Sequence, residues 1–201
     1  SQGTFDKFFV LQAINELRHI VSSPELDNNK IISSKKEVLI ENVIEAIENN
    51  HKVLIFVNYL SSIESICNSL KENKIKFLKM TGQTKDRQSL VDKFQSDNRY
   101  KVFVMTLKTG GVGLNLVSAD TIFIYDPWWN KTVENQAIDR AYRLGQDKTV
   151  FAYKMIMRNT IEEKILKLQE IKDKLLDDLI SEDNLSTKNL SKNDIEFILG
   201  N

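Results

Sequence analysis

Apolar positions change their rhythm along this chain. Residues 7–21, KFFVLQAINELRHIV, carry them at helical spacing, and Pro24 stops that helix because its ring cannot continue one. The next stretch, SSPELDNNKIISS, is polar and reads as a loop. SKKE at 34–37 has the form of a capping box, with Ser34 bonding the amide three residues on and Glu37 reaching back. It predicts a helix that turns Val38, Leu39, Val43, Ile44 and Ile47 inward. KVLIFV at 52–57 is then short and continuously apolar, the mark of a strand buried on both faces. A helix follows at about 60–72, then a strand at 75–80, IKFLKM. TGQT is a turn whose Thr84 is placed to cap a helix running to Gln95. KVFVMT (101–106), TIFIYD (121–126) and VFAYKMIM (150–157) read as further strands, with a helix at about 132–144 before the last. Thr160 and Glu163 form a second capping box, which opens the long helix IEEKILKLQEIKDKLLDDLI. In it Ile161, Ile165, Leu168, Leu175 and Leu176 face the domain and the charges face water; SKNDIEFIL predicts a final short helix.

Strands alternating with helices predict an α/β layered fold with a mostly parallel sheet. In such sheets the functional loops lie beyond the carboxyl ends of the strands. That rule selects NYLSS (58–62), TGQT (81–84), TLKTGGVGLNL (106–116) and DPWWN (126–130).

Composition narrows the function classes. A chain of 201 residues suits one domain with a small appendage. With 28 acidic and 28 basic residues the formal net charge is zero, so any nucleic-acid contact is local or shared with another part of the protein. The single cysteine, Cys67, excludes an internal disulfide and a multi-cysteine metal site; it joins Ile63, Ile66 and Leu70 on an apolar stripe, as a core residue does. His19 and His51 have no partner at metal-ligand spacing and read as surface residues, so no metal site is expected. Without a signal peptide or a long apolar run the chain reads as intracellular, with no membrane partner.

Three stretches carry candidate chemistry. In TLKTGGVGLNL, Gly110, Gly111 and Gly113 follow a buried strand and let backbone amides approach a ligand, or simply make a tight turn. The spacing is neither that of a P-loop nor that of a dinucleotide fingerprint. Lys108 beside them is a phosphate contact or an ordinary surface lysine. DPWWN puts two indoles after a strand end, at least one of them structural. In QAIDRAYRLGQ, Arg140 and Arg143 stand three residues apart, as helix-surface neighbours do. Either they pair with carboxylates such as Asp139 or Glu134, or they bind phosphate, for which the guanidinium fork is suited.

Taken together, SLKENKIKFLKMTGQTKDRQSLVDKFQ, VMTLKTGGVGLNLVSADTIFIYDPWWN and QAIDRAYRLGQDKTVFAYKMI…TIEEKI resemble the second RecA-like lobe of the SWI/SNF family of DNA-dependent ATPases, in helicase superfamily two. LQAINELRHIVSSPEL resembles the helix entering that lobe, SSKKEVL the S-x-K-x-x-x-L of its first helix, and TIEEKILKLQEIKDKL the brace helix that reaches back to the first lobe. The resemblance implies a RecA-like three-layer α/β/α lobe over residues 33–158. An N-terminal helix and linker occupy 1–32, and a brace helix with a short C-terminal helix occupies 159–201. It implies that Asn58, Tyr59, Gly82, Thr84, Arg87, Thr106, Leu107, Lys108 and Trp128 lie on the nucleic-acid side. Gly111, Gly113, Asn115, Gln136 and Asp139 would line the nucleotide cleft, and Arg140 and Arg143 would be arginine fingers. The implied partners are double-stranded DNA, the first RecA-like lobe and a possible DNA-bound protein target. Localisation would be cytoplasmic and DNA-associated in a bacterium, or nuclear in a eukaryote.

The chain departs from the family pattern at Tyr142, where a histidine is usual, and at TLKTGG, often S-L-K-A-G-G. Neither a Walker A lysine motif nor a D-E-x-[HD] box occurs in it. It therefore reads as one half of a two-lobed motor, with ATP and Mg²⁺ held by the other half and none expected bound here. Two other readings remain: a strand-separating or RNA-directed helicase lobe of the same superfamily, and a non-catalytic interaction module.

Overall fold

The computed structural model describes residues 7–26, 33–110, 113–178, 193–194 and 197. Five strands, β1 (Val53–Val57), β2 (Phe77–Met80), β3 (Val102–Thr106), β4 (Thr121–Ile124) and β5 (Phe151–Lys154), form one sheet in the order β2-β3-β1-β4-β5. Every neighbouring pair is parallel, as the alternation of elements predicts. The helices are α1 (Lys7–Ser22), α2 (Ser34–Glu48), α3 (Leu60–Glu72), α4 (Arg87–Ser96), α5 (Leu107–Gly110), α6 (Lys131–Ile138) and α7 (Ile161–Asp178).

The continuous apolar runs sit centrally because both their faces are covered. Alternate side chains point to opposite sides of a strand. Leu54, Phe56, Phe103, Met105, Ile122 and Ile124 pack with Val91 and Phe94 of α4 and with Ala137 of α6. Val53, Ile55, Val57, Val102, Val104 and Phe123 pack on the other side with Leu39 and Val43 of α2 and Ile63, Ile66 and Cys67 of α3. The result is the three-layer α/β/α arrangement. Burial pushes the Cys67 thiol up to about 11, as suits an inert core residue. β5 is different: Phe151 and Tyr153 are half exposed, so this strand is an edge, shorter than the apolar run 150–157 suggests.

The helix starts correct the sequence reading by one or two residues. Ser33, not Ser34, caps α2, its hydroxyl accepting from Lys36 N at 3.3 Å; it is the last residue with extended backbone, as a cap must be. Asp86, not Thr84, caps α4 by accepting from Ser89 N at 3.1 Å. Thr160 caps α7 at Glu162 N (3.2 Å), and Glu163 accepts from Asn159 N (3.0 Å). The two histidines are half-buried rather than free on the surface. His19 Nε2 bonds Ser61 Oγ at 2.8 Å, and His51 Nδ1 lies 3.1 Å from Asp120 Oδ2.

α7 packs back on the lobe through Ile165 and Leu168. It also brings Glu162 to Lys35 at 2.5 Å, with both side chains almost wholly buried. Burial raises the Glu162 carboxyl above its ordinary value against the attraction of Lys35. The side chains of Leu175 and Leu176, the linker at 27–32 and most of the expected final helix lie outside the described residues.

Candidate functional site

Strand register sets the site. Val57 aligns with Thr106, and Phe56 with Ile124, so the chain leaves β1, β3 and β4 side by side at the carboxyl end of the sheet. At this end Asn58 N donates to Asp126 Oδ2 (2.9 Å), and Asn58 Nδ2 donates to the Asp126 carbonyl (2.6 Å). The Ser22 hydroxyl donates to Asp126 Oδ1. Arg18 of α1 is buried, and its Nη2 donates to the Pro127 carbonyl at 2.8 Å. Its guanidinium lies 4.7 Å from the Trp128 ring, 5.0 Å from Trp129 and 5.5 Å from Tyr59, and the two indoles stack at 3.9 Å. Burial pulls Arg18 below its ordinary value, opposed by Tyr59 and Asp126, and pushes Tyr59 up to about 12. Asn58, Tyr59 and Trp128 are thus engaged in holding α1 and DPWWN to the lobe.

The turn after β2 is also internally bonded. Thr84 Oγ1 accepts from Thr81 N (3.0 Å), while Arg87 donates to the carbonyls of Gly82 (3.2 Å) and Thr84 (3.4 Å). Gly82 is exposed at its tip, with open space where a side chain would stand.

After β3 the chain enters α5. Thr106 Oγ1 and Thr109 Oγ1 are 2.6 Å apart, and Thr106 Oγ1 accepts from Thr109 N. Leu107 is buried in the core, so its side chain cannot reach a nucleic acid, contrary to the sequence expectation; being the first residue past a central strand, it continues the packed face. Lys108 beside it is exposed and has no bonded partner among the described residues. Gly110 is required by space, because a Cβ there would stand 2.3 Å from Phe56 Cε1. Gly113 and Asn115 are exposed, and Asn115 O accepts from Gln95 Nε2 at 3.1 Å; Gly111 lies outside the described residues.

The arginine segment departs from the expected helix. α6 starts at Lys131, capped by Asn130, and ends at Ile138 rather than near 144. Residues 139–145 continue as turns ending at Gly145, whose φ of +100° suits a glycine. The Arg140 carbonyl accepts from Leu116 N (2.9 Å), which joins this segment to the loop after α5. Arg140 Nε donates to Gln136 O at 3.1 Å, leaving its terminal nitrogens unengaged. Arg143, Asp139 and the Gln136 side chain are exposed and unpartnered among the described residues. Tyr142 and Leu144 flank Arg143, 70% and 103% exposed. The carboxylate pairing considered for the arginines does not form. Asp139 is free, and Glu134 is buried against Lys154, Gln169 and Trp128 N. An exposed guanidinium with unspent donors is a ready partner for an anion.

Sequence reasoning missed Arg18, Asp126 and Gln146, and it named Glu134 only as a partner for the arginines. Gln146 Nε2 donates to the carbonyls of Val117 (2.9 Å), Ala119 (2.7 Å) and Ala141 (3.2 Å), closing the arginine turn on the loop that leads into β4. Only a polar residue inside an otherwise apolar helix face, as at Arg18 and Glu134, signalled such partners. No cluster of three or more His, Cys, Asp or Glu able to hold a metal occurs among the described residues, and no helix there is long and apolar enough to cross a membrane.

Comparison with known proteins adds the following. The family described as Helicase conserved C-terminal domain matches residues 34–145. An "Uncharacterized ATP-dependent helicase" of Mycoplasma pneumoniae is 39% identical over 179 residues, covering 88% of this chain and 17% of the relative. The "Putative ATP-dependent helicase/translocase YwqA" of Bacillus subtilis is 36% identical over 204 residues, covering 96% of this chain and 22% of the relative. The solved Sulfolobus solfataricus SWI2/SNF2 ATPase core domain superposes with a TM-score of 0.74 at 29% identity, over 98% of this chain and 42% of that one. The chain spans about a fifth of the curated relatives it matches.

Proposed function

The chain belongs to the SWI/SNF family of helicase superfamily two, as its C-terminal RecA-like lobe, and from that premise we propose that it is the second motor half of an ATP-dependent double-stranded-DNA translocase. ATP and Mg²⁺ bind to a first lobe, and this lobe supplies Arg140 and Arg143 to the terminal phosphates. The observation that carries the reading is the state of Arg143. Its guanidinium is exposed, unpartnered among the described residues and displayed on a turn clasped by Gln146. Arginine donors fit phosphate oxygens, and a finger from a separate domain stabilises charge on the phosphoryl group in flight. Relatives named ATP-dependent helicases support the use of ATP.

Lobe closure brings the fingers to the nucleotide, and hydrolysis releases them. Lys108 and the tip of the 81–84 turn grip the phosphate backbone, a contact largely independent of sequence. Alone, the chain holds neither triphosphate nor Mg²⁺ and turns over no ATP.

The test is ATP turnover by the two-lobed parent protein, with and without duplex DNA, against Arg143→Ala. We expect DNA to stimulate the wild type and the variant to lose about 10³-fold in kcat while still binding nucleotide. Near-normal stimulated turnover by the variant removes the finger role. Turnover by the isolated chain contradicts the division of labour.

A further inference from the structure

Glu134 and Gln169 are 1% and 2% exposed, yet neither belongs to the apolar core. Their side chains and that of Lys154 close a ring. Lys154 Nζ lies 2.6 Å from Glu134 Oε2 and donates to Gln169 Oε1 at 2.7 Å. Gln169 Nε2 donates to Glu134 Oε1 at 3.1 Å and also to the Trp128 carbonyl. Trp128 N donates to Glu134 Oε1 at 2.7 Å. One carboxylate thus joins DPWWN, α6, β5 and α7. The Gln169 amide accepts from Lys154 through its oxygen and donates to Glu134 through its nitrogen at the same time. Well-packed apolar side chains would seat α7 as firmly, since buried ion pairs add little stability over them. The ring must therefore be explained by the geometry it fixes.

That geometry concerns the arginine segment. Glu134 anchors the start of α6, and Lys131 of the same turn reaches Asp173 of α7. The far end is anchored by Gln146 on the carbonyls of Val117 and Ala119. Between the two anchors the side chains of Asp139 and Arg143 carry no bonds among the described residues. A shift of α7 along its axis moves Gln169, and with it the anchored end of α6.

We propose that Glu134 and Gln169 are a positioning pair through which the seating of α7 on the lobe sets the placement of Arg143. The proposal rests on the finger reading for its activity arm only. The experiment compares wild type, Gln169→Leu and Gln169→Asn in the full parent protein, each alone and combined with Arg143→Ala. The readouts are DNA-stimulated kcat, KM for ATP, and amide hydrogen exchange along the chain. We expect Gln169→Leu to lower kcat about 10- to 100-fold with KM changed less than about twofold, and to add no loss on top of Arg143→Ala. Exchange should quicken at 131–146 while β1 and β3 keep their protection. Gln169→Asn, which keeps the amide, should lie between the two. Unchanged kcat, losses that multiply with Arg143→Ala, or unchanged exchange at 131–146 would overturn the proposal. Were the wild type to show no DNA-stimulated turnover, the motor reading would fall, and the exchange result would decide the positioning role by itself.

Discussion

Arg18 and Arg143 carry the same side chain into opposite circumstances. Around Arg18 every polar group is spent: its guanidinium meets the Pro127 carbonyl and three aromatic rings, while Asp126 beside it takes Ser22 and Asn58. Around Arg143 almost nothing is spent, and the exposed Tyr142 and Leu144 gain nothing from the fold in which they sit. A buried guanidinium must be matched or it costs several kcal/mol, so the first region serves stability. An exposed one adds little to stability, so the second is free to serve a partner.

The contrast is open to measurement. Its largest expected effect is a loss of about 10³-fold in DNA-stimulated turnover for Arg143→Ala, with a melting temperature unchanged within error, since the exposed side chain makes no hydrogen bond or ion pair among the described residues. Arg18→Ala should do the reverse. Losing a charged hydrogen bond and its ring contacts costs about 2–3 kcal/mol, lowering the melting temperature by roughly 4–12 °C. If Arg18→Ala melts normally, the saturated region is not holding α1. Gln146→Ala sits between the two, because it releases three carbonyls but also frees the arginine turn. A cost of about 1–2 kcal/mol together with a measurable drop in kcat is expected, and a change in only one of these would show that stability and placement separate there.

The smallest effect concerns Asp120, at the opposite, amino end of the strands. Burial works to raise its carboxyl, but the bonds from Lys148 and His51 outweigh burial and hold it below its ordinary value of 3.8. A depressed native value means that the unfolded chain binds the proton more readily, so stability rises with pH. The contribution is complete above the ordinary value and is lost as pH falls through the native one. Melting of Asp120→Asn should therefore depend less steeply on pH than wild type below about pH 4, and equal slopes would exclude the linkage.

Much of the fold was legible because burial on two faces writes itself locally. KVLIFV and KVFVMT became two of the three inner strands, and the stripe of Ile63, Ile66 and Cys67 became the packed side of α3. Helix ends were less legible. Ser33 and Ser34 are chemically equal caps, and only the backbone angle at Ser33 chooses between them. α6 stops at Ile138 although its residues suit a longer helix, because Gln146 and the Arg140 carbonyl bond to the loop 114–119 instead. The site residues divide on the same principle. Arg143 and Lys108 stand exposed, as a pattern of isolated cations suggests. Asn58, Tyr59 and Leu107 are absorbed by neighbours that are distant in sequence, such as Asp126, 68 positions from Asn58.

The pairing of Lys35 with Glu162 spans 127 positions, and that of Arg18 with Pro127 spans 109. During synthesis, then, α1 and α2 emerge well before the residues that complete their polar contacts. A nascent chain ending before α7 holds the Lys35 ammonium in an interior with no counter-charge, which removal of one partner from a buried pair makes costly by about 3–5 kcal/mol. α7 thereby supplies the counter-charge that α2 lacks until the two meet.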